Sequence, residues 1–382
     1  MPTSDYRSNS PAWDDGQWPG LPALDCDQTA DACVIGLGSS GLTAIEELLA
    51  MGRSVIGIDT NDVGAGAAGR NGGLLVSGTS DFHHDAVARL GRERAVRITQ
   101  LTIEELHRIA MHSPGVVRMT GSLRIAESDE ELTDCVRQRD AMRADGFTAD
   151  DYDGPLGRGI SIAADAAFNP LMRCRKLSAT LRAHHARLCS HTTAIEFGQG
   201  FVRTDRGRIS CEQVIVAVDG TLERLFPELN TTVRTARLQM LGTARAHEVT
   251  IPCPVSTRYG YDYFQQLPDG SVVLGGGRDK ALETEWTHDG APTAMIQDYL
   301  TSVLRDRLKV QAPILHRWAA LVSYNSTGLP VLGEVRPGVW AAGGYSGTGN
   351  LMGALAGRAV ARQAFGEETE FFSLLNTPAG RN

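Results

Sequence analysis

The strongest constraint on this 382-residue chain is a short apolar run, Ala32–Ile35, that passes at once into Gly36, Gly38 and Gly41. An apolar-periodic stretch then runs to Gly52, with Leu42, Ile45, Leu48 and Leu49 on one helical face. Ser54–Ile58 is the next buried strand and closes on Asp59. Strand, glycine turn, helix and strand make one βαβ unit of about 30 residues. In such a unit the first glycine permits the sharp turn and the second lets a pyrophosphate approach the backbone. The third lets the helix pack against the strand. The helix start, including Ser39 and Ser40, offers free N–H groups and a positive partial charge to phosphates. The carboxylate of Asp59, followed by Thr60, is placed to accept ribose hydroxyls. The pattern predicts a dinucleotide site.

Two further glycine clusters lengthen that site. Residues 61–73 read NDVGAGAAGRNGG, too glycine-rich for a continuous helix, and predict a loop with a short helix ending in Arg70, Asn71, Gly72 and Gly73. Residues 343–350 read GGYSGTGN, again after a strand (Val339–Ala342) and before a helix. Extra sets of backbone amides suit a longer cofactor, with phosphates at one end and an isoalloxazine at the other. The amides at Gly349–Leu351 are suited to negative charge on a reduced flavin.

The remaining composition narrows the function classes. With 37 basic and 45 acidic residues the net charge is −8 and no basic stretch occurs, which argues against nucleic-acid or anionic-membrane binding. No run is long and apolar enough for a membrane span, and the N-terminal residues lack the apolar core of a secretory signal, so a cytoplasmic protein is expected. Seven scattered cysteines without a CxxC pair read as reduced thiols, and neither they nor the ten histidines have metal-ligand spacing.

The fold class expected is α/β with an α+β second domain: a Rossmann-type FAD-binding domain interleaved with an antiparallel-sheet substrate domain. Residues 1–30 read as an arm pinned by Trp13 and Trp18; 31–85, 150–225 and 325–382 as the FAD-binding domain; 86–149 and 226–324 as the substrate-binding domain. Helices are expected over 86–112, 129–145, 171–188 and 292–308, and a hairpin over Val116–Ala126. Short strands are expected at Thr192–Phe197, Phe201–Thr204, Arg208–Ser210 and Gln213–Val218, and antiparallel strands through 231–280.

The segments ADACVIGLGSSGLTAIEELLAMG, GAGAAGRNGG, FNPLMRCRKL, VIVAVDG, QLPDGSVVLGGG, HRWAALV, GLPVLG and AAGGYSGTGN stand in an order that resembles the FAD-dependent D-amino acid oxidase superfamily, which includes the glycine, sarcosine and gamma-glutamylputrescine oxidase-like proteins. The resemblance runs from about Trp13 to Phe365. It implies FAD and a large antiparallel sheet over the flavin. It also implies hydride transfer from a neutral amine or amino acid to flavin N5, hydrolysis of the resulting imine, and reoxidation by O2 or another acceptor. By motif match, Gly36, Gly38, Ser40, Gly41, Asp59 and Thr60 would touch the AMP half, with the backbone near Ala194 at the adenine. Arg70–Gly73 would run beside the pyrophosphate and flavin, and Gly344, Tyr345, Ser346, Gly347, Thr348, Gly349 and Asn350 would line the flavin.

Three positions depart from the family pattern. Ala320 stands near the cysteine that bonds flavin in sarcosine oxidases, so non-covalent FAD is expected. Val273 replaces their oxygen-activating lysine, and Val322 the carboxylate-gripping arginine of glycine oxidases. Pocket candidates are Tyr259, Tyr261, Tyr263 and Phe264 on one strand region, with Tyr261 and Tyr263 on a shared face, together with Arg278, Trp318 and Tyr345. The competing readings are a flavin monooxygenase or reductase, and an FAD-binding protein without catalysis.

Overall fold

The computed structural model describes residues 7–376; the expectations for 1–6 and 377–382, the outermost parts of the arm and of the last domain segment, lie outside the described residues. Two compact units are present. One holds the residues through Asp15, Arg70–Asn169 and Ala236–Leu321, and the other holds Gly16–Gly69, Pro170–Thr235 and the residues from Val322 onward.

The unit beginning at Gly16 is built on an eight-stranded sheet. Gln28–Ile35 lies between Val55–Ile58 and Arg208–Val216, parallel to both, and Arg187–Cys189 extends the sheet beyond Val55–Ile58. Val339–Gly343 runs parallel to the second half of Arg208–Val216. Cys33, Val34, Ile56, Ile58, Val214, Ile215 and Val216 are all buried. Runs this apolar belong to parallel strands covered on both faces. Helix Ser39–Ala50 packs on helix Met352–Ala364 so closely that a Cβ on Gly357 would stand 2.2 Å from the Ser40 carbonyl oxygen. The strand–turn–helix units from the two ends of the chain are therefore side-by-side parts of one α/β layer.

The unit holding Ala236–Leu321 carries a nine-stranded, largely antiparallel sheet. Asp262–Gln266 and Ser271–Gly276 pair across the turn at 268–270 as expected. Phe264, Leu274 and Leu241 pack with Ile296 and Leu300 of helix Ala294–Ser302. A small sheet joins Leu74–Leu75, Ala166–Phe168 and Val117–Arg118.

Several local expectations change. The helix over 86–112 is two helices, His83–Leu90 and Arg92–His112, because Gly91 takes a φ of +84° that no helix interior accepts. Val116–Ala126 is not a hairpin: Val117–Arg118 pairs with Ala166–Phe168, while Ser122–Ile125 pairs with Gly157–Ile162 and Val255–Thr257. Long-range partners there outweigh the local turn. The helix over 171–188 is Pro170–Ala183, and the chain turns at His185 (φ +69°) into the strand Arg187–Cys189. Arg208–Ser210 and Gln213–Val218 are one continuous strand, Arg208–Val216. The regular helix expected over 292–308 spans Ala294–Ser302 and widens into a π-turn over Val303–Arg307.

The arm is pinned by its tryptophans. Trp13 is buried and its Nε1 donates to the Asn71 carbonyl (2.8 Å), and Trp18 Nε1 donates to Asp62 Oδ2 (2.9 Å). All seven cysteines are unpaired and six are buried. Among the described residues no helix is long and apolar enough to cross a membrane.

Candidate functional site

The glycine turn has the backbone geometry that its spacing predicts. Gly36 has φ +107°, and a Cβ on Gly41 would stand 1.9 Å from the Gly36 carbonyl oxygen. Helix Ser39–Ala50 has no side-chain cap and no acidic residue in its first turn. Its N–H groups at Gly38, Ser39 and Ser40 meet no acceptor among the described residues. Asp59 Oδ2 accepts the Leu37 N–H and Oδ1 the Asn61 N–H, both at 2.8 Å. Each oxygen keeps a second lone pair for a hydroxyl. Burial pushes the Asp59 carboxyl above its usual range, against those two N–H groups. Thr60 is exposed in the turn beyond. Ala194 opens the strand Ala194–Gly198, and Thr192 N donates to the Asp59 carbonyl (2.9 Å), which brings that segment beside Asp59.

One residue at this turn was missed in the sequence. Arg173, on helix Pro170–Ala183, is 4% exposed and donates to Ser39 Oγ at 2.8 Å. It has no carboxylate partner among the described residues. A buried guanidinium without a counter-charge, beside an open helix N-terminus, is the donor set a pyrophosphate requires. It lies in the segment FNPLMRCRKL, but only the tertiary placement distinguishes it from its neighbours Arg175 and Lys176.

The second glycine cluster is anchored from below. Half-buried Asp219 accepts the N–H of Gly344 (2.9 Å) and Tyr345 (3.1 Å) at Oδ1 and that of Ser323 (3.2 Å) at Oδ2. Burial raises its carboxyl to about 6, partly offset by those three N–H groups, while Glu223 adds to the rise. Ser346 N donates to Ser323 O and Thr348 N to Tyr345 O. Among the described residues, Gly347 and Gly349 have N–H groups without acceptors, and they stand ahead of helix Met352–Ala364 with Asn350. Tyr345 is buried and its hydroxyl faces Ser40 without closing a full hydrogen bond; burial drives that phenol well above its ordinary range.

In the other unit the segment Arg70–Gly73 is held by side chains at every carbonyl. Trp318 Nε1 donates to Arg70 O (2.8 Å), Trp13 Nε1 to Asn71 O (2.8 Å), and Gln265 Nε2 to Gly72 O (2.7 Å) and Gly73 O (2.8 Å). The Arg70 guanidinium turns to the Ala319 carbonyl (2.7 Å) and to Asn9. Tyr263 is half-buried and packs between Gly72 and Gly275, where a Cβ would meet its ring at 2.6 Å and 2.5 Å respectively. Phe264, its strand neighbour, is buried in the apolar core. Tyr261 does not share the Tyr263 face. Arg258 and Tyr259 take positive φ, the strand starts only at Asp262, and Tyr259 and Tyr261 are exposed in the turn. Arg278 lies over the Trp286 ring, 4.7 Å from its centroid, and Trp318 is fully buried. Val273 and Ala320 are buried, as is Val322.

Comparison with known proteins gives the class. The sequence profile of the DAO family, FAD dependent oxidoreductases, matches residues 31–363. The chain belongs to that family and is an FAD-dependent oxidoreductase. It is 26% identical over 380 residues to a probable oxidoreductase OrdL of Rhizobium meliloti (strain 1021), covering 92% of this chain and 87% of the relative. It is 26% identical over 388 residues to the gamma-glutamylputrescine oxidoreductase of Escherichia coli (strain K12), with the same coverage of 92% and 87%. Glycine oxidase from Geobacillus kaustophilus shares the fold with a TM-score of 0.73 and 19% identity, over 93% of this chain and 99% of that one.

Proposed function

We propose that this chain oxidises the C–N bond of a small amine or amino acid with non-covalently bound FAD. The observation that carries the cofactor half is the buried, uncompensated Arg173 at the open N-terminus of helix Ser39–Ala50. Gly36, Gly38, Ser39, Ser40, Gly41 and Arg173 would hold the pyrophosphate, Asp59 and Thr60 the ribose, and the backbone at Ala194 the adenine. Gly344–Asn350 and Arg70–Gly73 would line the flavin. Ala320 offers no nucleophile for a covalent link.

FAD, when bound, supplies the hydride acceptor for the substrate C–H. The protein's own part is to orient the substrate, exclude water and stabilise charge. Tyr263 would wall the substrate, with Tyr345 and Trp318 as further walls, and Tyr261 at the rim. Arg278 offers a guanidinium for a substrate carboxylate or for a polar tail. Val322 provides no second cationic grip, which favours an amine or an N-substituted amino acid over a plain α-amino acid. The name of the Escherichia coli relative, a gamma-glutamylputrescine oxidoreductase, supports the same class. Val273 supplies no cation for oxygen activation, so reoxidation by O2 is expected to be slow or to give way to another acceptor. The partners are then a small molecule and an electron acceptor, in the cytoplasm.

The test is an anaerobic panel of putrescine-like amines, N-substituted glycines and amino acids mixed with FAD-loaded protein. One class should bleach the flavin absorbance, and admitting air should then show how fast colour and peroxide return. A protein that stays yellow with every compound is an FAD binder without this chemistry. Bleaching by NAD(P)H instead marks a monooxygenase or reductase.

A further inference from the structure

The arm residues Asn9 to Trp13 are tied to the Arg70–Gly73 segment more densely than a passing strand requires. Asn9 takes a left-handed backbone (φ +54°) and its N–H donates to Arg317 O at 2.7 Å. Its side-chain Oδ1 accepts from Arg70 Nη2 (2.5 Å) and from the Ala319 N–H (3.2 Å), while Nδ2 donates to Gly290 O (3.2 Å). The Asn9 carbonyl accepts the same Arg70 Nη2 at 2.9 Å. Burial lowers the Arg70 guanidinium pKa, and the partners it meets are the oxygens of Asn9 and Ala319.

A trans peptide fixes the C=O of one residue opposite the N–H of the next. Holding the Asn71 carbonyl with Trp13 Nε1 therefore fixes the direction of the Gly72 N–H. Gly72 is buried, and its N–H has no acceptor among the described residues. Glycine has no rotameric or steric preference to hold that peptide plane by itself.

We propose that the Asn9–Trp13 segment is a working part of the cofactor-holding loop, with Asn9 and Trp13 as positioning residues that aim the Gly72 N–H at a hydrogen-bond acceptor on the bound flavin. This rests on the reading of Arg70–Gly73 as a flavin-lining segment. Trp13 supplies the donor that orients one peptide, and Asn9 locks the Arg70 side chain that precedes it.

The experiment uses the full chain with three substitutions. Trp13→Phe keeps the ring and removes the N–H. Asn9→Gly keeps the left-handed backbone and removes the side chain. Asn9→Asp restores the Oδ1 acceptor for Arg70 and Ala319. FAD dissociation constants, the visible flavin spectrum and amide exchange at Asn71–Leu74 in the apoprotein are compared with wild type. Trp13→Phe and Asn9→Gly should each weaken FAD about tenfold, shift the flavin band and speed exchange, in line with the loss of one or two buried hydrogen bonds. Asn9→Asp should recover to within about threefold. Both variants binding FAD within twofold of wild type, with unchanged exchange, overturns the proposal. If wild type binds no FAD, the flavin-lining reading fails and takes the aiming of Gly72 with it, whereas faster exchange in the two variants would still report the strap itself.

Discussion

Gly41 sits so close to Gly36 that a Cβ at the first would lie 1.9 Å from the carbonyl oxygen of the second. A helix start and a strand end are fused there without room for one methyl group. Gly41→Ala must displace either the turn or the helix N-terminus, and with it the row of N–H groups proposed to hold the pyrophosphate. We expect the variant to purify without flavin and to show at least a hundredfold weaker FAD binding. A yellow, stoichiometrically loaded Gly41→Ala protein contradicts the assignment.

Arg173 separates binding from stability. Its guanidinium is buried without a counter-charge, so Arg173→Met should leave the apoprotein as stable as wild type or more so. FAD binding should weaken by tenfold or more and lose part of its salt dependence. Thermal melts of apoprotein and isothermal titration with FAD at two ionic strengths give both readouts. Equal FAD affinity in the two proteins would remove Arg173 from the site.

Asp219 makes stability depend on pH. Its carboxyl is raised from 3.8 to about 6, so the folded chain holds this proton more tightly than the unfolded one. That contribution, about 3 kcal/mol at about 1.4 kcal/mol per pH unit, is complete below pH 3.8 and is lost as pH rises through about 6. Asp219→Asn cannot titrate. Melting temperatures measured from pH 4 to 7.5 should therefore show a wild-type-minus-variant difference that changes across this window and is level above it. A difference that stays constant with pH would show that Asp219 does not titrate there.

Arg237 and Glu285 form a buried pair, 4% and 1% exposed, with Nη2 to Oε1 at 2.9 Å and Nε to Oε2 at 3.1 Å. Gln239 also donates to Glu285 Oε2 (3.0 Å). Glu285→Ala leaves the cation with Asp289 Oδ2 at 3.5 Å and the carbonyls of Asp289 and Ala291, and is expected to cost about 3 kcal/mol. Urea unfolding should show a clear drop in midpoint, and a change under 1 kcal/mol would mean that Asp289 or water compensates Arg237 once Glu285 is gone.

The α/β turn was legible because each step is local. An apolar run, three spaced glycines and an acid at the next strand end follow in about 30 residues, and the structure places them as read. The Asn61–Gly73 loop with its short helix, Ala67–Arg70, was legible for the same reason. What sequence could not show depends on distant partners. Ser122–Ile125 looked like half of a hairpin because its alternation is real, but its partners lie at Gly157–Ile162 and Val255–Thr257. Arg173 looked like one cation among neighbours until helix Pro170–Ala183 brought it to Ser39. Tyr261 looked like a strand residue because alternation continues through it, yet Arg258 and Tyr259 take left-handed backbone and delay the strand to Asp262. Asp219 stands within the segment VIVAVDG, but its role, accepting the amides of Gly344 and Tyr345, spans more than a hundred residues and has no local signature.

The pairing of Gln28–Ile35 with Arg208–Val216, and of that strand with Val339–Gly343, has a consequence for synthesis. A nascent chain emerging from the ribosome carries its Gly36–Gly41 turn early, yet the central strand of that sheet, Arg208–Val216, follows more than 150 residues later and its neighbour Val339–Gly343 about 300 residues later. Until then the first apolar strands have an unpaired edge, which makes early chain termination a route to aggregation and loading with the coenzyme a late event in the life of each molecule.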